Sequence, residues 1–195
     1  TEPKFVPNTA AKIKIDDFSC NIRLIDCVGY LIKNAKGAED ENGPRMVKTP
    51  WYDDEIPFVE AAEIGTEKVI KDHSTIGIVM TTDGSIGEFE RSDYIDAEER
   101  VVRELKELNK PFIVLMNTTH PNNQETLIYV NELREKYNIP VLPINIENMN
   151  EKDENGNVTT VYAEYDPETR DIVFLFVLTN RLCAVHTLFK KLYEL

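Results

Sequence analysis

Four runs rich in Ile, Val and Leu, "NIRLIDCV", "TIGIVMTT", "PFIVLMNT" and "IPVLPINI", constrain the fold of this chain more than any other feature. Each is a continuous apolar stretch, the pattern of a strand buried on both faces. Between them, apolar residues recur at helical spacing: Phe58, Ala61, Ala62, Val69 and Ile70 over 57–72, then Ala97, Val101, Leu105 and Leu108 over 93–109. A third set, Leu127, Val130, Leu133 and Tyr137, runs over 123–137. Strand, helix, strand in repetition predicts an α/β fold with a mostly parallel sheet and right-handed crossovers. Ahead of the first run, "AAKIKIDD" alternates apolar and charged residues and predicts an edge strand antiparallel to residues 21–28.

Ser92 and Asp93 are candidate caps for the second helix, and Glu99 with Arg103 forms an i,i+4 pair on it. The stretch 34–54, "NAKGAEDENGPRMVKTPWYDD", is too polar and too rich in Gly and Pro for a regular element. A loop of that length is either functional or a surface insertion, here one packed by Trp51 and Tyr52. After Met149 the chain changes character at "NEKDENGNVTT". Residues 158–178 then read as a hairpin, and Asn180 caps an amphipathic helix bearing Leu182, Val185, Phe189 and Leu192. The expected division is a main domain over 1–149 and a small α+β tail over 150–195.

The 195 residues, 42% of them hydrophobic, suffice for one sizeable core. A formal net charge of -13 argues against nucleic acid as a partner, because phosphate contact needs a basic footprint. Cys20, Cys27 and Cys183 are odd in number and widely spaced, which predicts a reducing cytosol and neither a zinc site nor a disulfide framework. No run reaches the length needed to span a bilayer, and "TEPKFVPN" lacks the features of a signal peptide. The absence of an initial Met points to a trimmed or fragmentary chain.

In parallel α/β sheets, ligands gather beyond the carboxyl ends of the strands, where Asp26, Asp83 and Asn117 all fall. Asp26 and Gly29 form "DCVG". In nucleoside triphosphatases an aspartate so placed holds magnesium, usually through water, and the glycine amide approaches the γ-phosphate. Spacing alone favours the plainer alternative, an aspartate that caps a strand and a glycine that serves the turn. "TTDGSIGE", residues 81–88, offers hydroxyls and backbone amides to a phosphate, or is an ordinary turn. "MNTTHP" stands where guanine-reading enzymes carry Asn-Lys-x-Asp, but Thr118 and His120 replace the Lys and Asp, so Asn117 is left to brace loops. His73, His120 and His186 show no metal spacing, and His73 suits a helix end. Asp26 beside Cys27 disfavours a reactive thiolate. No GxxxxGK[ST] occurs among the eight glycines.

The blocks "TEPKFVPN", "NIRLIDCVGY", "AKGAEDENGPRM", "TPWYDDEIPF", "AAEIGTEKVI", "DHSTIGIVMTTDGSIGE", "SDYIDAEERVV" and "KPFIVLMN" resemble the ATPase domain of the stage IV sporulation protein A family, over about residues 1–149. The resemblance implies a Ras-like P-loop NTPase fold, here lacking its first strand and P-loop, which lie upstream in the family. It implies ATP and magnesium as cofactors, with Asp26 as the magnesium carboxylate acting through water and Thr1 as a sensor of the γ-phosphate. Gly29 and Asn117 are the expected nucleotide-binding positions. Hydrolysis coupled to self-assembly into the basement layer of the endospore coat is the implied activity, with a non-catalytic scaffold as the alternative. The implied partners are further copies of the chain, other coat proteins and a small membrane-bound amphipathic anchoring peptide. The implied location is the mother-cell cytoplasm, at the outer forespore membrane. Without a P-loop, the chain by itself is expected to hydrolyse little ATP. The tail after "NIENMN" falls outside the resemblance.

Overall fold

The computed structural model describes residues 4–5, 10–15, 18–41, 43–147 and 171–178. In chain order its elements are β1 (Lys4–Phe5), β2 (Ala11–Ile15), β3 (Phe18–Cys27), β4 (Glu39–Asp40), β5 (Gly43–Pro44), β6 (Met46–Thr49) and β7 (Tyr52–Pro57). There follow α1 (Phe58–Lys68), continued by a wider turn over Val69–His73, then β8 (Ile76–Thr82), α2 (Arg91–Glu107), β9 (Phe112–Asn117), α3 (Gln124–Tyr137), β10 (Val141–Ile144) and β11 (Asp171–Leu178).

The main sheet runs β3, β11, β8, β9, β10, with every neighbour in that series parallel. An antiparallel edge is present, but its register is displaced from the expected 21–28: β2 pairs with residues 18–22 at the start of β3, Ile13 opposite Cys20, and it is β1 that pairs with the end of β3, Phe5 opposite Asp26. All seven residues of β8 are buried, which explains its unbroken apolar run. α2 contributes Tyr94, Ala97, Val101, Val102 and Leu105, and α3 Val130, Leu133 and Tyr137, to one core with Ile25, Val79, Val114, Met116 and Val141.

Several local expectations change. α2 starts earlier than Ser92: Glu90 precedes its first turn, and the Asp93 carboxylate accepts from the Glu90 amide at 3.2 Å. Glu99 reaches Lys136 on α3 at 2.5 Å rather than serving its own helix. Leu127 stands 43% exposed, because the buried side of α3 runs through Thr126, Val130, Leu133 and Tyr137. The stretch 34–54 is not irregular throughout, since β4 pairs with β5 and β6 with β7 as two short ribbons. Their strands are largely exposed, so hydrophobic patterning gave no sign of them. His73 closes the wider turn after α1, near the helix end expected for it.

Of residues 150–195, the described part is β11, which lies inside the main sheet between β3 and β8. The other arm of the expected hairpin and the helix after Asn180 lie outside the described residues.

Gly77 shows how closely β8 is packed. A Cβ there would meet Phe112 Cβ at 2.9 Å and both Leu105 methyls at 3.2 and 3.3 Å. Gly77→Ala is therefore predicted to cost about 1–3 kcal/mol. A urea unfolding midpoint equal to that of the parent would contradict this packing.

Candidate functional site

Asp26 is the next-to-last residue of β3, with β1 on one side at Phe5 and β11 on the other at Phe176. The backbone then turns sharply at Gly29, where φ is 78°, a left-handed conformation that a side chain would strain. Between them lies Cys27, 3% exposed. Burial, aided by the neighbouring Asp26 charge, pushes its thiol up to about 12, against weaker hydrogen bonds from Thr66 and the Gly29 backbone. Cys27 is thus an inert core thiol, as its sequence context suggested.

The chain after Gly29 is fastened to α2. Tyr30, 3% exposed, donates to Glu104, and Arg100 lies 3.8 Å above its ring while gripping Glu63 at 2.8 and 3.2 Å. Lys33 N donates to Asp93 O at 3.1 Å, Asn34 Nδ2 to Asp93 Oδ1 at 2.9 Å, and Lys33 pairs with Asp96 at 2.9 Å. Residues 30–34 are therefore docked, and the ribbons that follow hang from them.

A second polar group forms where β8 and β9 end. Asp83 Oδ2 accepts from Thr118 Oγ1 at 2.6 Å, and Oδ1 accepts from Ser85 N at 2.9 Å and Ser85 Oγ at 2.5 Å. Thr119 N donates to Ser85 Oγ at 3.0 Å, which ties the two loops together. Partial burial opposes the Asp83 charge, but these hydrogen bonds outweigh it and lower its pKa below the ordinary 3.8. A lowered carboxylate pKa contributes stability that is complete above the unfolded value and is lost as pH falls through the folded one. Stability should therefore drop below about pH 4 more in the parent than in Asp83→Asn. Urea unfolding at pH 7 and pH 3 measures this, and an equal drop in both proteins would count against the network.

Asn117, the last residue of β9, is 7% exposed and its Oδ1 accepts from Ile146 N at 3.1 Å. It braces the loop after β10, as the altered guanine signature suggested. Thr118, in the lysine position of that signature, is committed to Asp83, and His120 Nδ1 lies 2.7 Å from Thr119 Oγ1. His120 stands where that signature carries the aspartate that reads guanine.

These residues share one end of the sheet but not one contact. Register places Asp26 level with Phe176 and Ile78, whereas Asn117 pairs with Thr82, four residues further along β8. At about 3.3 Å per residue and 4.8 Å per strand, Asp26 and Asn117 are separated by roughly 13 Å along the strands and 14 Å across them. Asp83 lies nearer Asn117 than Asp26. Thr1 lies outside the described residues.

One buried charge went unread in the sequence. Glu98 is 0% exposed and pairs with Arg91 at 2.7 Å, while Tyr137 donates to it at 2.5 Å. Arg91 also donates to Tyr129 at 2.6 Å and to Thr81 at 3.0 Å, so it joins α2, α3 and the end of β8. Burial disfavours its charge, but Glu98 more than compensates and its pKa is raised. The spacing of seven residues, two helical turns, was the available signal, hidden because both residues look like surface charges.

Among the described residues no group of three or more His, Cys, Asp or Glu could hold a metal by itself. The strand-end carboxylate of Asp26 fits magnesium, which keeps several waters and takes its other ligands from phosphates. No described helix is long and apolar enough to cross a membrane.

The family described as "Stage IV sporulation protein A, ATPase domain" matches residues 1–166, past the expected boundary at 149. Stage IV sporulation protein A of Bacillus subtilis (strain 168) is 60% identical over 154 residues, which are 78% of this chain and 31% of that protein. The Bacillus anthracis protein of the same name is 60% identical over 154 residues, with the same shares. That of Clostridioides difficile (strain 630) is 52% identical over 153 residues, again 78% and 31%. The chain thus matches about a third of the length of these relatives, 31%. No solved structure matches it. Strands, helices and the family match agree, and the chain belongs to the stage IV sporulation protein A ATPase-domain family.

Proposed function

We propose that this chain supplies part of the ATP site of a sporulation morphogenetic ATPase, and that hydrolysis there drives self-assembly into the basement layer of the spore coat. The observation that carries this reading is the placement of Asp26 and Gly29 at the carboxyl end of β3, within the matched region. The fold is read as Ras-like, with a P-loop strand from outside the described residues completing it. Asp26 would hold magnesium through water, and the segment that turns at Gly29 would flank the terminal phosphate. A magnesium held there would supply positive charge to offset the negative charge that develops on the phosphate in hydrolysis. Asn117 holds the loop of Ile146 at the other end of the site, where the base lies. The separation of Asp26 from Asn117 suits the two ends of one nucleotide. Thr118 and His120 leave guanine unread, which favours ATP. Thr1 takes the γ-phosphate-sensing role that the family resemblance gives it.

The polymer is proposed to form on the mother-cell side of the outer forespore membrane, with other coat proteins and a small amphipathic membrane peptide as partners. Full-length protein is predicted to hydrolyse ATP with magnesium and to lose essentially all turnover in EDTA. Turnover that persists in EDTA would contradict the magnesium role. A non-catalytic scaffold is the second reading, favoured by β11 at the centre of the sheet. Sedimentation separates them: an ATPase-driven polymer pellets with ATP, a scaffold pellets with or without it.

A further inference from the structure

Two uncovered surfaces lie at opposite ends of the domain. At the carboxyl end of the sheet is the ribbon β6–β7, whose strands pair with each other and, among the described residues, with no third strand. The first four residues of β7, 52–55, are all exposed, so the ribbon is open on both faces there. Tyr52 and, on β6, Met46 are large apolar side chains left in water. The Arg45 backbone fastens the ribbon, accepting from Phe58 N at 2.7 Å and donating to Ala38 O at 3.0 Å. Residues 39–57 hold six acidic and two basic side chains. A two-stranded ribbon is marginal by itself in water, and one held out with Met46 and Tyr52 exposed is shaped for a partner.

The other surface is the amino end of the sheet, where the helices finish. α1 and the wider turn after it are 11 and 5 residues long, together roughly 24 Å at about 1.5 Å per residue, and carry the chain from the ribbon to Lys71 and the start of β8. Lys110, past the end of α2, donates to Lys71 O at 2.9 Å, and Lys106 donates to Tyr137 O at the end of α3. The three helix ends are thereby joined into one surface. Residues 67–73, 106–110 and 134–138 hold six basic and four acidic side chains, a positive excess in a chain of formal charge -13. Leu108 is exposed among them. Lys71 pairs with Glu67 and Lys136 with Glu99 at the surface, bonds weak enough to exchange for an incoming carboxylate.

We propose that these two ends bind each other between copies: the acidic ribbon of one molecule seats on the basic helix ends of the next, with Met46 and Tyr52 against Leu108. Charge decides the pairing. Ribbon against ribbon would bring six acidic side chains onto six, and helix ends against helix ends would repeat the fault with the opposite sign. Two different surfaces in contact make a heterologous interface, which continues as an open strand unless it closes into a ring. An apolar centre rimmed by charge is the anatomy that such contacts share. The ribbon follows directly on the docked residues 30–34, so the contact forms on the same side as the proposed nucleotide. The proposal rests on the self-assembly reading above and gives it a direction, since every copy in the strand faces the same way.

Two neutralised variants of the full-length protein test it. One carries Tyr52→Ser, Asp53→Asn, Asp54→Asn and Glu55→Gln; the other carries Lys71→Gln, Leu108→Ser and Lys136→Gln. All seven positions are exposed, so both variants should keep a urea midpoint close to the parent's. With ATP and magnesium, each should need at least ten times the parent's concentration to pellet. Mixed in equal amounts, they should form one-to-one dimers in sedimentation velocity and nothing longer, because the mixture offers one intact ribbon and one intact set of helix ends. Parent-like pelleting by either variant, or a mixture that stays monomeric, would overturn this contact and leave self-assembly standing. A parent that itself stays monomeric with ATP would overturn the self-assembly reading and the contact together.

Discussion

Asp26→Ala is expected to lower ATP turnover by the full-length protein at least about 100-fold, the scale seen when a single preorganised electrostatic group is removed from a site that stabilises developing charge. The expectation follows from position. Asp26 sits one residue before β3 ends, beside the turn at Gly29, and among the described residues no cluster of carboxylates stands ready to replace it. Asp26→Asn keeps the shape and removes the charge, so it should lose nearly as much. Raising magnesium should recover part of the loss in Asp26→Asn, which still offers an oxygen, and little in Asp26→Ala. Steady-state phosphate release across a magnesium titration reads all of this. Parent-like turnover in Asp26→Ala would remove Asp26 from the site.

The second large effect concerns stability. Glu98→Ala should destabilise the protein by roughly 3–5 kcal/mol, because it leaves the largely buried Arg91 guanidinium without its counter-charge. Tyr137 also loses its acceptor. The penalty belongs to the orphaned charge rather than to the pair. The double variant Arg91→Met, Glu98→Leu should therefore cost clearly less than Glu98→Ala alone. Urea unfolding of the three proteins decides the matter. A double variant worse than the single, or a Glu98→Ala midpoint within about 1 kcal/mol of the parent, would show that the pair is not what joins α2 to α3.

The four apolar runs and three helical patterns were legible because both-face burial and one-face burial leave different periods in a sequence; β8, β9 and α2 obey them closely, and α3 does so at Val130, Leu133 and Tyr137 but not at Leu127. The edge strand was legible for the same reason, through the alternation of Ala11 to Ile15. What escaped lacked such a period. The ribbons β4–β5 and β6–β7 are mostly exposed on both faces, and the place of β11 at the centre of the sheet depends on pairing partners more than 90 residues away in sequence. At the site, "DCVG" and Asn117 were readable as strand-end residues. Their stagger across the sheet was not, because register is set by strand pairing rather than by any local motif. The tie between Asp83 and Thr118 was hidden likewise, since 35 residues separate them.

Hydrogen exchange of full-length protein with and without a non-hydrolysable ATP analogue and magnesium tests the central claim most directly. The account predicts added protection at residues 26–30, 82–85 and 117–119, weakened at 26–30 in Asp26→Ala, and at least tenfold less effect from the GTP analogue at the same concentration. Protection confined to other parts of the protein, or an equal response to both analogues, would contradict it.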